Sequence, residues 1–289
     1  MSRVEASPRS GAALPATLRL GAVQLTVTDL QNSTGWYETA LGLRLRAHEA
    51  TEAELGDDVA TVVHLHEDAG AQRAGRHVGL YHYALLFSSR EELARAVLRV
   101  SAARTPVQGL SDHGAHEAIY LRDPDGNGIE LAADRSRDHW PADQYSGGPA
   151  PLDLDSLLST IAGEETTPAV GNGLRVGHVH LHVGDIGEAL AFYRDVLGFE
   201  LQAHLGTAAF VSAGGYHHHV GLNTWKGKGV RPAPPHTVGL RNWTVELPSD
   251  ADVAEVRGRV EAAGAPVEAV ADGFATRDPW QIAVHFVDR

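Results

Sequence analysis

Apolar and polar positions alternate at four places along the chain, and each alternation runs into a segment with helical character. The stretch AVQLTVTDL at 22–30 recurs as HVHLHVGDI at 178–186, and the same offset places Trp36 and Tyr37 on Phe192 and Tyr193, and Leu41 and Gly42 on Leu197 and Gly198. Period-two alternation predicts a strand. The Asp that follows, Asp29 or Asp185, is suited to cap a helix. The Leu-Gly step ends that helix, because Gly tolerates a left-handed terminal residue.

A second pair of segments follows the same plan. GLYHYALLF at 79–87 and GLRNWTVEL at 239–247 predict strands, and 88–104 and 249–263 predict helices. Ser89 with Glu92 forms a capping box for the first of these helices. Both units close with a strand entered through an Asp-Pro step, at Asp123-Pro124 and Asp278-Pro279. The chain therefore reads as four units, each a strand, a helix and about three strands, over 18–68, 78–134, 174–226 and 236–289. This divides it into a tail at 1–14, a first two-unit half at 15–134, a linker at 135–173 and a second half at 174–289. The linker is rich in Pro, Gly, Ser and acidic residues, with a short helix expected near 152–161.

Composition narrows the function. The chain has 289 residues with 43% hydrophobic content, enough to bury a sizeable core. No run of about 18 apolar residues predicts a membrane span. The tail at 1–14 lacks the apolar stretch of a signal peptide. Cysteine is absent, which excludes disulfides and thiolate chemistry and fits a cytoplasmic location. A formal charge of -13 argues against nucleic acid and anionic membranes as partners. The 17 histidines are the unusual feature, since imidazole is the commonest transition-metal ligand.

The densest chemical pattern is His113, Ile119-Tyr120, Asp123-Pro124-Asp125-Gly126 and Glu130 in one unit. A unit of type βαβββ leaves an exposed sheet edge, and two such units can pair into a cupped eight-stranded surface. The architecture resembles the vicinal oxygen chelate superfamily, which includes glyoxalase I, extradiol dioxygenases and bleomycin- or fosfomycin-resistance proteins. The resemblance implies an α+β fold of four βαβββ units paired into two cupped eight-stranded sheets. The His113–Glu130 pattern resembles the signature of type I extradiol dioxygenases, departing from it at Ser111, where the family usually has Gly, Asn, Thr, Ile or Val.

That resemblance implies a site. Glu130 matches the carboxylate ligand, and His82 and His178 match the two histidine ligands, of an iron(II) centre, with manganese(II) as the alternative metal. Two His and one carboxylate grip one face of such an ion and leave the opposite positions open. By the same resemblance His219 matches an acid–base histidine, and His113 and Tyr120 would hydrogen-bond the substrate oxygens. The implied partners are a catechol-type substrate and O2, with homo-oligomerisation left open. The implied reaction is ring cleavage beside one hydroxyl.

The arrangement of the matched residues is unusual. Ala22 stands where His178 does, Asn242 where His82 does, and His285 where Glu130 does. The ligands then come from the second and third units, and these are expected to pair around the metal, leaving the first and fourth to make a metal-free cup. His180 and His182 share the strand face of His178 as pocket-lining candidates, and His217 and His218 stand beside His219. His64 and His66, with His285, are an alternative metal cluster that lacks ligands at Ala22 and Asn242. Trp225 and the 226–228 loop read as a lid or a solvated loop. The rival functions on this fold are a glyoxalase-like isomerase or lyase and a small-molecule-sequestering protein.

Overall fold

Each unit folds because one strand face is apolar and a capped helix lies across it. In a computed structural model, which describes residues 13–141, 145 and 148–289, the first unit comprises β1 (Arg19–Val27), α1 (Leu30–Trp36), β2 (Arg44–His48), β3 (Glu52–Gly56) and β4 (Thr61–Glu67). The second comprises β5 (Gly79–Leu86), α2 (Arg90–Ala102), β6 (Val107–Asp112), β7 (His116–Arg122) and β8 (Gly128–Asp134). After α3 (Leu154–Ser159), the third comprises β9 (Arg175–His182), α4 (Ile186–Leu190), β10 (Glu200–His204), β11 (Ala208–Ser212) and β12 (Val220–Asn223). The fourth comprises β13 (Gly239–Leu247), α5 (Asp250–Ala262), β14 (Glu268–Val270), β15 (Gly273–Arg277) and β16 (Ala283–Asp288).

The predicted caps form. Asp29, Ser89, Asp185 and Ser249 each accept from a backbone N–H three residues on, satisfying one of the donors that a helix start leaves open. Both α1 and α4 widen into a π turn, at Tyr37–Leu41 and Ala191–Val196. This turn buries Tyr37 and Tyr193 completely.

Within a unit the first strand pairs in parallel with the last, as β5 does with β8 and β9 with β12. The remaining strands continue outward antiparallel. Between units the decisive pairings cross the two halves of the chain. Strand β5 runs antiparallel to β9 and β1 antiparallel to β13. Units two and three thus share one eight-stranded cup, and units one and four share the other. Among the described residues a single strand pairing, Leu20 with Val176, links the two.

Other contacts hold the two cups together. Tyr37 Oη donates to Asp123 Oδ2 at 3.2 Å between units one and two, and Tyr193 Oη donates to Asp278 Oδ2 at 3.1 Å between units three and four. The segment between the halves packs against the first half. Arg90 reaches Ser156, Arg95 reaches Glu164, and Val170 donates from its backbone to Gly42. The expected tail is shorter than 1–14, because Leu14 is buried and its N–H is bonded to Gly198. The rest of that expectation lies at 1–12, outside the described residues. No helix among the described residues is long and apolar enough to cross a membrane.

Candidate metal centre

The register of four neighbouring strands draws the site. Tyr120 on β7 pairs with Glu130 on β8, Glu130 with Ala84 on β5, and Ala84 with His178 on β9. Residues in register share a face, so this row runs straight across the cup, and His82 joins it two residues from Ala84. Ala84 is fully buried, and its methyl leaves room for Glu130 and His178 to converge above it.

The loop before β8 is built to deliver Glu130. Asp123 accepts from Asn127 N and Nδ2, both at 2.8 Å, and Gly126 takes a φ of +92° in the turn. Gly128 passes beneath β5 so closely that a Cβ there would meet the Tyr81 carbonyl oxygen at 2.0 Å. A side chain at 128 would push β8, and Glu130 with it, away from the histidines.

Three expected ligands come together. His82 Nε2 and His178 Nε2 are 3.2 Å apart, and they lie 3.1 and 3.2 Å from the same oxygen, Oε2 of Glu130. All three side chains are buried. Burial alone would raise the Glu130 carboxyl. The His178 charge and hydrogen bonds from His116, His178 and His82 outweigh it and hold the group well below the usual carboxylate range. Burial lowers His178 from its ordinary value, against the pull of Glu130. A buried carboxylate facing imidazole nitrogens is a costly arrangement unless a cation joins it. The spacing fits one. Ligand atoms at right angles on an ion, each bonded at about 2.1 Å, lie about 3 Å from one another. The donor set, two imidazoles and a carboxylate, suits an iron(II)-type ion with vacant positions.

His116 is a member of the site that the sequence pattern did not single out. It donates from Nε2 to the other Glu130 oxygen, Oε1, at 3.0 Å. Its ring stacks between His113 and His217, with centroids 4.5 and 4.6 Å away. The signal was available, because His116, Ala118 and Tyr120 occupy alternate positions of one strand and therefore one face. His113 Nε2 and Tyr120 Oη stand 2.8 Å apart beside the triad. Burial, then His116, lowers His113 to about 4, while burial and Glu130 raise Tyr120 well above its ordinary value. Near neutral pH these two are an uncharged imidazole and an intact phenol.

The structure does not bring His219, the expected acid–base residue, into the cavity of the triad. Its ring packs on Phe199 and Tyr216, its Nδ1 accepts from the Ala213 N–H, and it lines a different cavity with Arg137 and Glu246. His217 and His218 line the cavity of the triad instead. The three histidines lie in the turn between β11 and β12, where strand alternation does not govern direction. His218 sits over His178, with ring centroids 4.1 Å apart.

A chain of hydrogen bonds sets the proton positions there. Burial raises Asp134, but His217 and Tyr216 more than compensate, so it is a carboxylate. His217 Nε2 donates to Asp134 Oδ1 at 3.1 Å, and Tyr216 Oη donates to Oδ2 at 2.9 Å. The bare Nδ1 of His217 then accepts from His218 Nδ1 at 2.9 Å. His218 Nε2 is left with its lone pair, in the manner of a base oriented by a third group.

The cavity over these groups has a volume of about 520 Å³. Tyr81, Leu205, Phe210 and the half-exposed Trp225 form its apolar wall. His180 lines it too, buried, with its Nε2 lacking a hydrogen-bond partner. His182 is instead tied to Asn223 Oδ1 at 2.7 Å and faces another cavity.

The Glyoxalase/Bleomycin resistance protein/Dioxygenase superfamily model matches residues 19–131 and 175–285. A catechol-2,3-dioxygenase of Bacillus subtilis (strain 168) is 39% identical over 268 residues, covering 90% of this chain and 93% of its own. Among solved structures, a candidate dioxygenase from Bacillus subtilis strain 168 superposes with a TM-score of 0.66 at 15% identity, covering 96% of this chain and 86% of its own. Glyoxalase I from Zea mays superposes with a TM-score of 0.57 at 16% identity, covering 94% and 92%. These two structural likenesses speak for the fold.

Proposed function

We propose, for a chain that belongs to the Glyoxalase/Bleomycin resistance protein/Dioxygenase superfamily, that it is an extradiol dioxygenase acting on a catechol-type diol. The observation that carries this reading is the convergence of His82, His178 and Glu130, from units two and three, within 3.2 Å of one another. In the reaction both atoms of O2 enter the product, and the ring carbon–carbon bond beside one hydroxyl breaks. The product is of the muconic semialdehyde type.

His82, His178 and Glu130 would hold iron(II), or manganese(II) in its place. A redox-active divalent ion there supplies positions for a chelating diol and for dioxygen, and electron transfer between them. The chain's own groups do the rest. His218 Nε2, oriented through His217 and Asp134, takes a proton from the second hydroxyl and later returns it. Tyr120 and His113 hydrogen-bond the substrate oxygens, where charge develops. The wall of Tyr81, Phe210 and Trp225 fits a flat ring and keeps water from the reacting edge.

The donor set also weighs against a glyoxalase-like isomerase, for which two carboxylate ligands are expected. Glu130 is the single carboxylate of the triad, and the nearby Asp134 is engaged by His217 and Tyr216. The test is oxygen uptake by protein loaded with iron(II) without air and then given a panel of catechols. Uptake with a yellow product is expected, lost in Glu130→Ala and kept in His285→Ala. No uptake with any catechol, or equal activity in the Glu130 variant, overturns the reading.

A further inference from the structure

A second cluster of metal-ligating type lies in the other cup. Strand alternation puts His64 and His66 of β4 on the face opposite Val63 and Leu65, which are fully buried. The antiparallel partner strand β3 sets Glu52 directly across from His66. Glu52 Oε2 is 3.0 Å from His64 Nε2, and its other oxygen, Oε1, is 3.0 Å from His66 Nδ1. The three ligand atoms all lie within 4.8 Å of one another.

The hydrogen bonds around His66 show what is missing. Its far nitrogen, Nε2, lies 2.9 Å from Gln24 Oε1, an amide oxygen that can only accept. The imidazole proton therefore resides on Nε2. Nδ1 then presents a lone pair to a carboxylate oxygen, and two acceptors face each other at 3.0 Å. A metal cation bound by both atoms would satisfy this pair. A ligating histidine whose second N–H is fixed by an amide oxygen is the outer-shell arrangement that metal sites use.

From this geometry we infer that Glu52, His64 and His66 form a binding site for a zinc-class divalent cation, separate from the proposed catalytic centre. Two imidazoles and one carboxylate select zinc, cobalt or nickel over magnesium or calcium, which prefer all-oxygen sites. Three protein ligands leave a fourth position for water. The ion would tie β3 to β4. Arg241, on β13 across β1 from β4, is exposed, so solvent screens its repulsion of such an ion.

The experiment titrates chelator-treated protein with cobalt(II), read by calorimetry and visible absorption. Four chains are compared: wild type, Glu52→Gln, His64→Asn and His82→Ala. The expected result is one equivalent that is present in the wild type, absent or at least 100-fold weaker in Glu52→Gln and His64→Asn, and retained in His82→Ala. Far-UV circular dichroism identical to wild type establishes that both first-cup variants are folded, and each serves if the other is not. Titration curves for Glu52→Gln and His64→Asn that overlay the wild type overturn the inference. Because no oxygen or catechol is used, the result is independent of whether the chain cleaves rings.

Discussion

The Nε2 atoms of His82 and His178 stand 3.2 Å apart, although one residue belongs to the first half of the chain and the other to the second. The β5–β9 pairing makes this contact. Neither half contains both histidines, so the proposed metal centre would require both halves to be folded and joined.

His116 should act through Glu130. It holds the carboxylate oxygen that does not face the two histidines. Losing such an outer-shell partner typically weakens metal affinity about 10–100-fold. His116→Phe should show that loss by metal titration while remaining folded. Unchanged affinity would mean that Glu130 is positioned by its strand alone.

His218 and His219 should differ sharply. His218→Asn should lower kcat about 10²–10⁴-fold, the range for losing a general acid–base, with metal content unchanged. His219→Asn should change kcat by less than about tenfold, since its ring lies outside the triad's cavity. Steady-state oxygen uptake on iron-loaded variants decides between them, and the opposite order would restore His219.

Ala84 should be intolerant of size. It sits in register between Glu130 and His178 and is fully buried. Ala84→Leu should cost about 1–3 kcal/mol by overpacking and should also separate the ligands. A denaturant midpoint shifted down together with reduced bound metal is the expected pair of results. A variant with full metal content would show that the row can spread without harm.

Asp123 should make stability depend on pH. Burial raises its carboxyl to about 6, despite hydrogen bonds from Asn127 and Tyr37. The folded value lies above the unfolded one, so the contribution is full below about pH 4 and is lost as pH rises through about 6. The swing is on the order of 3 kcal/mol. Asp278, raised to about 6 beside Tyr193, should act in the same direction. Denaturation at pH 5 and pH 8 should show a smaller loss of stability for Asp123→Asn than for the wild type. Equal losses would mean that Asp123 ionises without cost.

Local periodicity was enough for much of this molecule. The repeated strand–Asp–helix–Gly pattern marks the four units and their caps, because capping and alternation involve residues only a few positions apart. The strand faces of His82, Glu130 and His178 were legible for the same reason. The resemblance carried by His113, Tyr120 and the Asp-Pro turn then connected those faces to one kind of centre.

The rest depended on contacts between residues far apart in sequence. His116 was on a readable face, but its bond to Glu130 depends on how β7 and β8 twist together. The direction of each histidine at 217–219 was not readable, because the segment is a turn and no period applies. Glu52 met His66 only through the β3–β4 register. The alternation along a strand determines which side a residue takes. Which strand arrives alongside, and at what register, is decided by the hydrogen bonds and packing of the whole sheet, and these exist only once the chain has folded.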